Sequence, residues 1–248
     1  MNLRARPLVA VATLLAVFGS RPIAGATAND DRQVPPPPVR WPGEGGKKVE
    51  VKLGIVAVDF ARINLREESF DMAGYLDTSW TDPSLALKPD ERPAGVRRYR
   101  PGQIWAPALE FVNAVEQVAA EREGDLYVDE DGWVTQRIRF SHKFQSALHL
   151  ERFPFDRQSL TIVVAPFDPT ARDLILVEAP GRVRRLEEAS VPDWNIVGIE
   201  ARIAESKSGD PADKRFLFDV KVRRQSTFYI WRVLVPLTLL VFASWTVF

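Results

Sequence analysis

Alternating apolar and polar positions along the middle of the chain predict a domain built of β-strands. Apolar side chains occupy every second position from Val49 to Ile55 and from Phe216 to Val222, with mostly polar residues between them. A period of two, built from β-branched and aromatic residues, is typical of a strand with one buried face. The runs Leu160–Val164 and Leu174–Val177 are continuously apolar. We expect these two to be strands buried on both faces.

Turn sequences separate the predicted strands. Thr81–Ser84, Asp129–Gly132 and Ser208–Pro211 combine Asp, Ser, Gly and Pro, which favour tight turns. Strands at this spacing predict an all-β fold, an immunoglobulin-like antiparallel β-sandwich of about ten strands in two sheets. One segment competes with this prediction, because Leu109–Arg122 places apolar residues at helical spacing and taken alone predicts a helix.

The first residues have the pattern of an export signal. Arg4 and Arg6 precede the apolar run Leu8–Phe18, and small residues follow it, which predicts a signal peptide over residues 1–28. A short membrane anchor is the alternative, although the apolar run is shorter than the about 20 residues that span a bilayer. Residues 29–48 are rich in proline and glycine, and we expect a flexible lead-in to a ligand-binding domain at 49–224.

The last residues predict the start of a transmembrane helix. Val233–Phe248 contains no charged residue, and Phe228, Tyr229 and Trp231 cluster before it, as in an interfacial aromatic belt. We expect a linker and a truncated first transmembrane helix over 225–248. A buried core helix is the alternative reading of so short an apolar run. The export signal places the β domain on the periplasmic or extracellular side of a cell membrane, although the nearby arginines alone would favour the cytoplasm.

Composition argues against several functions. The chain has 33 basic and 33 acidic residues, so nothing in its charge points to nucleic acid. It has no cysteine and two histidines, His142 and His149, neither at a metal-ligand spacing. Both histidines lie among alternating polar residues, and we expect them on the surface. Motifs for nucleophilic or phosphate chemistry do not occur. The sequence therefore predicts no enzyme activity, no metal site and no cofactor.

One tetrapeptide points to a family. Phe153-Pro154-Phe155-Asp156 predicts an exposed apolar tip carrying an acid, in a chain that ends in a membrane. The tetrapeptide resembles the tip of the signature loop of pentameric ligand-gated ion channels, the Cys-loop receptor superfamily. The resemblance covers roughly residues 49–248 and continues, in the family's order, through Trp80–Leu85, Ile104–Pro107, Asp131–Val134, Asp193-Trp194 and Ser244-Trp245.

The chain departs from the family pattern at three positions. The two cysteines that close the signature loop would fall at Ser146 and Leu160, and their joint absence resembles the bacterial, cysteine-less members. The family motif has a tryptophan, a proline and then an acid, which match Trp105, Pro107 and Ala108 here, so Ala108 replaces the acid. The resemblance also implies that residues 109–122 form a strand and a loop, and this overrides the helix that their spacing predicts.

The resemblance implies a ring of five domains, in which four identical subunits join each chain. A small-molecule or proton ligand would bind at the subunit interface, above a pore in the lipid bilayer. The residues that match the family's pocket positions are Tyr75, Phe111, Val112, Phe167 and Phe216. The capping hairpin from Ala204 to Arg215 is charged and carries no aromatic residue, so a proton, a small acid or a primary amine are all open as ligands.

The resemblance also places a coupling site where the domain meets the membrane. It is implied to contain the signature-loop residues, with Glu67 and Asp156 flanking the linker residue Arg224 as a charged triad. The alternative is that these are ordinary surface ions. If the triad couples binding to gating, replacing Arg224 by glutamine should abolish gating and spare folding. The coupling residues that the resemblance implies are Glu67, Phe153, Pro154, Phe155, Asp156 and Arg224.

Two other functions compete with a channel. A pore-less soluble or membrane-tethered ligand-binding protein would have the same fold, because the chain as printed has no second transmembrane helix. An unrelated membrane-anchored sandwich, such as an adhesin or a carbohydrate-binding domain, would instead show aromatic platforms on one sheet face.

Overall fold

The protein folds into two facing β-sheets followed by one apolar helix. The structure is a computed structural model that describes residues 39–43, 46–87, 96–167, 173–187, 189–204 and 214–247. The predicted signal peptide, most of the predicted lead-in and the charged part of the capping hairpin (205–213) lie outside these residues. Within them there are twelve strands: β1 Val49–Asn64, β2 Ser69–Thr81, β3 Arg97–Tyr99, β4 Leu109–Phe111, β5 Ala114–Glu123, β6 Leu126–Val128, β7 Trp133–Gln145, β8 Arg157–Pro166, β9 Leu174–Glu178, β10 Arg184–Arg185, β11 Trp194–Ala204 and β12 Arg215–Arg224.

The larger sheet has eight strands and the smaller has four. The larger runs β10-β1-β2-β7-β6-β3, with β5 also on β7 and β9 also on β1, and the smaller runs β11-β12-β8-β4. Most pairs are antiparallel, as predicted, but β9 and β10 pair with β1 in parallel. The predicted β-sandwich is confirmed, and these two short parallel pairings are the exception to its antiparallel order.

The core lies between the sheets and is made by the alternation seen in the sequence. Val51, Leu53 and Ile55 of β1 face Phe216 and Phe218 of β12 in one buried cluster. The prediction that β8 and β9 are buried on both faces is wrong. Within Leu160–Val164 and Leu174–Val177, buried side chains alternate with half-buried ones, because a two-layer sandwich covers only one face of each sheet.

The segment with helical spacing is β4 and β5, so the helix that its pattern predicts is not formed. β5 pairs with β7 through shifts of register at Ala114/Glu116, Gln117/Ala119 and Ala119/Arg122. Each bulge inserts a residue and reverses which face the following side chains occupy. Bulges at this spacing interrupt the period of two in the sequence. The apolar residues of the segment then fall at the spacing of a helix.

The sandwich also holds part of the predicted lead-in. Trp41 packs edge-to-face on Trp105, with ring centroids 4.8 Å apart, and Trp105 packs in the same way on the buried Trp80 at 5.6 Å. Burial of aromatic rings in contact gives residue 41 a fixed place on the domain. The described part of the lead-in is thus packed against the sandwich.

The chain ends in a helical rod. It consists of α1 (Thr227–Tyr229), a π-helical turn (Ile230–Leu234) and α2 (Val235–Val247). The π-helical turn ends just before Pro236, which has no N–H to donate to the preceding turn. The 20 residues Thr227–Thr246 have a mean hydropathy of 1.6 and none of this stretch is buried in the chain. It is long and apolar enough to cross a membrane.

Candidate functional site

The signature loop joins β7 to β8 and reaches the start of the helix. Phe153 and Phe155 are both exposed at its tip, on either side of Pro154. Within the tip, the N–H of Phe155 donates to the carbonyl oxygen of Arg152 at 2.7 Å. The Phe153 ring packs edge-to-face on Tyr229 of α1, with ring centroids 4.9 Å apart. The apolar tip therefore contacts the helix directly.

A buried ion pair lies behind this tip. Nε of Arg224 donates to Oδ1 of Asp156 at 2.7 Å, and Nη2 donates to Oδ2 at 3.0 Å. The two side chains are 3% and 1% exposed. A bidentate arginine–carboxylate pair out of water is strongly directional, because neither partner can turn to solvent instead.

Aromatic rings surround the guanidinium of Arg224. Its carbon lies 4.1 Å from the ring centroid of Trp194, the residue opposite it on β11, and 5.0 Å from that of Phe153. Tyr229 lies further off, at 5.9 Å. Rings around a cation supply attraction without water. Arg224 thus connects β11, the signature loop and the first turn of the helix.

The pair shifts the ionisation of both partners. Burial raises the pKa of Asp156, but hydrogen bonds from Arg224 and Gln158 outweigh burial and hold that pKa below its ordinary value. For Arg224, burial lowers the pKa, and the hydrogen bond and charge of Asp156 more than reverse this effect. Both groups are therefore charged at neutral pH.

Side-chain hydrogen bonds of Gln158 and Ser146 close the loop between β7 and β8. Oε1 of Gln158 accepts from the backbone N–H of His149 at 2.8 Å, and its Nε2 donates to the carbonyl oxygen of His149 at 2.6 Å and to Oδ2 of Asp156 at 2.7 Å. The hydroxyl of Ser146 donates to the carbonyl oxygen of Ser159 at 3.0 Å. Side-chain amide and hydroxyl groups thus hold the two ends of the loop together.

Glu67 is not part of a triad in this structure, which corrects the predicted arrangement. Its carboxylate lies 3.8 Å from Nζ of Lys143, and the same ammonium lies 3.0 Å from Glu116. The hydrogen bond and charge of Glu116 raise the pKa of Lys143. Asp156 accepts hydrogen bonds from two nitrogens of Arg224, and the cation beside Glu67 is Lys143 of β7. Within the described part of one chain, Asp156 and Arg224 therefore form a pair, with Glu67 separate from it.

The predicted pocket residues lie on two different sheets. Val112 and Phe167 lie at opposite ends of the β4–β8 pairing, because the N–H of Val112 donates to Val163 on β8 and the N–H of Phe167 donates to Ala108 just before β4. Phe167 is 71% exposed. Tyr75 lies on β2 of the other sheet, half-buried against the guanidinium of Arg137 at 5.1 Å. One chain does not bring these three side chains together.

Phe111 and Phe216 point inward. Phe216 is fully buried in the core, so its ring is not presented at the surface of this chain. Phe111 is half-buried and packs on the rings of Phe140 and Phe144, at centroid distances of 4.6 and 5.7 Å. Both support the strands behind the pocket region in this structure.

His142 lies among the aromatic rings on the buried face of β7, and its burial was not predicted. It is 4% exposed, which contradicts the predicted surface position, whereas the side chain of His149 is exposed as predicted. The His142 ring lies 5.1 Å from that of Phe111, its Nε2 is 2.7 Å from Oε1 of Glu121, and its Nδ1 has no hydrogen-bond partner among the described residues. The signal was present, because His142 has the same strand parity as Phe140 and Phe144.

The chain is similar to a family of known proteins along most of its length. Residues 37–226 match the family model described as the neurotransmitter-gated ion-channel ligand binding domain. The chain is 28% identical over 242 residues to a proton-gated ion channel of Gloeobacter violaceus, covering 97% of this chain and 65% of that protein. It is 24% identical to a Drosophila melanogaster gamma-aminobutyric acid receptor subunit beta-like protein, over 84% of this chain and 45% of the relative.

A third relative is a receptor subunit of another kind. A neuronal acetylcholine receptor subunit beta-2 of Carassius auratus is 24% identical, over 78% of this chain and 42% of the relative. The chain therefore spans less than two thirds of the length of each of these relatives.

Proposed function

Because this chain belongs to the family of neurotransmitter-gated ion-channel ligand-binding domains, we propose that it senses a ligand for a pentameric channel and moves the membrane helix through the Asp156–Arg224 pair. The β domain would lie on the periplasmic or extracellular side of a cell membrane, and residues 1–28 would direct its export. Residues 49–224 would be the sensor and 225–248 the linker and first membrane helix.

One observation carries the proposal: a buried ion pair and the apolar tip of a loop both contact the first turn of the helix. Phe153 packs on Tyr229, and Arg224 lies against Phe153 while it holds Asp156. Movement of β12 or of the loop would displace the helix, because Phe153 and Arg224 both lie against Tyr229. A domain that only tethers itself to a membrane needs no such packed junction.

The position of the pocket residues supports a ring of subunits. Tyr75 lies on the larger sheet and Phe167 follows β8 of the smaller sheet. They would meet if the face of one subunit that carries Phe167 packed against the face of the next that carries Tyr75. In a closed ring each subunit presents both faces, so five identical pockets would form.

The charge around Tyr75 favours an acidic ligand over a quaternary amine. The guanidinium of Arg137 already lies against the Tyr75 ring, and Arg139 is the residue opposite Tyr75 on β7. An aromatic face occupied by one cation has little attraction left for a second. We infer that a small acid or a proton is the ligand. The name of the Gloeobacter relative, a proton-gated ion channel, supports the proton.

The test is a chimera that carries this chain in front of the part of the Gloeobacter violaceus channel that it does not match. Expressed in oocytes, it should give current in response to pH steps or to small acids at constant pH, and native mass spectrometry in detergent should show five subunits. Replacing both Asp156 and Arg224 with Asn and Gln should abolish the current while the pentamer persists.

The outcomes separate the competing functions. A stable pentamer that gives no current with any ligand would favour the pore-less ligand-binding protein. A monomer that binds glycans would favour a membrane-anchored adhesin. Full current from the double variant would contradict coupling through the ion pair.

A further inference from the structure

A row of hydrogen-bond donors crosses the smaller sheet at its membrane end. The strand register places Asn195 of β11 opposite Arg223 of β12, and Arg223 opposite Arg157 of β8. All three residues are exposed. They lie on the outer face of the sheet, because their neighbours Val222 and Gln158 point into the sandwich and are buried.

Two arginines directly opposite each other repel unless an anion lies between them. The acids on the same face are engaged elsewhere: Glu200 lies 2.5 Å from Nζ of Lys221, and Asp219 binds Arg202 at 3.2 Å. In the described part of the chain, no carboxylate pairs with Arg157 or Arg223. The row therefore presents two guanidinium groups without a counterion from the protein.

These groups line a cavity of about 680 Å³. Ser226 and Thr227 form another part of its wall, and no carboxylate contributes to its lining. Nε2 of Gln225 donates to Oδ1 of Asn195 at 3.1 Å, which leaves the Asn195 amide group free to donate. Arg224 also borders the cavity, but its Nε and Nη2 are already bound to Asp156.

The cavity lies at the level where the chain would enter a membrane. Thr227 is both part of its wall and the first residue of the 20-residue apolar stretch. Phospholipid phosphates lie at this boundary, above the acyl chains. Arginine suits them, since its planar fork binds two phosphate oxygens at once.

We propose that Arg157 and Arg223 form a phosphate-binding site at the membrane end of the smaller sheet. Asn195, Ser226 and Thr227 supply further donors around the phosphate. The source is the headgroup of a phospholipid or a soluble phosphate, and both present the same chemistry to the two arginines. The site does not depend on the proposed function, because a phosphate can bind here whether or not a pore opens.

The experiment measures binding of phosphatidylglycerol to the full chain in a non-ionic detergent free of phosphate. Native mass spectrometry gives the fraction of protein that retains the lipid during a titration, with diacylglycerol as the lipid that lacks phosphate. The variant is Arg157→Gln with Arg223→Gln. The matched control is Lys47→Gln with Lys48→Gln, which removes two exposed cations just before β1, at the end of the sandwich away from the helix.

The arginine double variant should bind phosphatidylglycerol about thirtyfold more weakly, the effect of losing two cationic contacts near a membrane surface. The lysine control should bind as the unchanged chain does. Competition by millimolar inorganic phosphate would identify a soluble anion as the occupant, and absence of competition would identify the lipid headgroup. Both results support the site.

Equal affinity in the arginine variant and the lysine control would overturn the proposal, whether both bind tightly or both lose the lipid. Circular dichroism checks the fold of each variant. If the double variant is misfolded, Arg157→Gln alone replaces it, with an expected loss of about fivefold. Failure of this site would leave the current measured in the chimera untouched, so the two proposals can fail separately.

Discussion

Two arginine–carboxylate pairs in this domain share one geometry and differ in their contact with water. At the membrane end, Arg224 binds Asp156 at 2.7 and 3.0 Å. In the larger sheet, Arg137 binds Asp77 at 2.6 and 2.8 Å through the same atoms. Both carboxylates are buried, but the Arg224 side chain is 3% exposed and that of Arg137 is 52% exposed.

The difference in exposure gives the two pairs different roles. When Arg137 turns away, water can reach Asp77 and the cost is modest. When Arg224 turns away, a carboxylate is left in a dry site, so the pair either holds or the junction rearranges. We expect a pair of the first kind to adjust when a ligand binds beside Tyr75. Under the proposed function, a pair of the second kind would transmit movement to the helix.

The largest expected effect comes from replacing Arg224 by Gln. The variant leaves the Asp156 carboxylate buried without its cation, which should lower the free energy of unfolding by about 3–5 kcal/mol. The burial of the pair thus revises the expectation that this substitution spares folding. Guanidinium unfolding in detergent, followed by the fluorescence of the adjacent Trp194, measures the change. Adding Asp156→Asn should recover much of the loss, and a loss below 1 kcal/mol for the single variant would show that water reaches the pair.

Arg137→Gln, the matched change in the other pair, should lower the free energy of unfolding by about 1–2 kcal/mol. Salt distinguishes the two pairs. Raising the salt concentration from 0.05 to 0.5 M should shrink the effect of Arg137→Gln, because exposed charges are screened, and leave the effect of Arg224→Gln nearly unchanged. Equal salt dependence in the two variants would contradict the difference in exposure.

The buried pair also predicts a response to acid. Because the folded-state pKa of Asp156 lies below its ordinary value of 3.8, the carboxylate stabilises the fold fully above that value. This contribution is lost as the pH falls through the lower folded-state pKa, by at most about 1.4 kcal/mol per pH unit. Unfolding measured from pH 6 to pH 2 should be less steep in Asp156→Asn combined with Arg224→Gln. Parallel curves for the two proteins would rule out Asp156 as a source of the acid sensitivity.

The smallest expected effect is at the loop tip. Phe153→Leu removes an aromatic contact with Tyr229 and should lower the free energy of unfolding by about 0.5–1.5 kcal/mol. Phe167→Leu is its control, because Phe167 is an exposed phenylalanine in the pocket region and should change stability by less than about 0.5 kcal/mol. In the chimera, Phe153→Leu should reduce the maximal current, and Phe167→Leu should instead shift the ligand concentration needed for half of it.

The sequence predicted the parts of the fold that repeat with a period of two. The alternation in β1 and β12 carries directly into the core, because each strand has one face toward the other sheet. The prediction from hydrophobic pattern failed in β5, where three shifts of register interrupt the alternation. Bulges depend on pairing with β7, which no local pattern records.

At the membrane end, the sequence predicted which residues lie there but not all of the contacts between them. The family motif brought Asp156 and Arg224 together correctly, although they are far apart in sequence. The motif also placed Glu67 with them, whereas in the structure Glu67 lies beside Lys143. A motif indicates which loops are neighbours, but it does not indicate which charged side chains form ion pairs. His142 shows the opposite case: its strand parity indicates burial, but its polar neighbours led to the predicted surface position that the structure contradicts.

The loop that Gln158 and Ser146 close has a practical consequence for the whole chain. The chain contains no cysteine, and the loop is held by amide and hydroxyl groups that no reductant can open. Its integrity is therefore independent of the redox potential around it. Because the chain has no thiol of its own, each introduced cysteine would carry one spin label or fluorophore, and two introduced cysteines would carry a pair. Distances across the junction between β12 and the helix could then be followed one pair at a time.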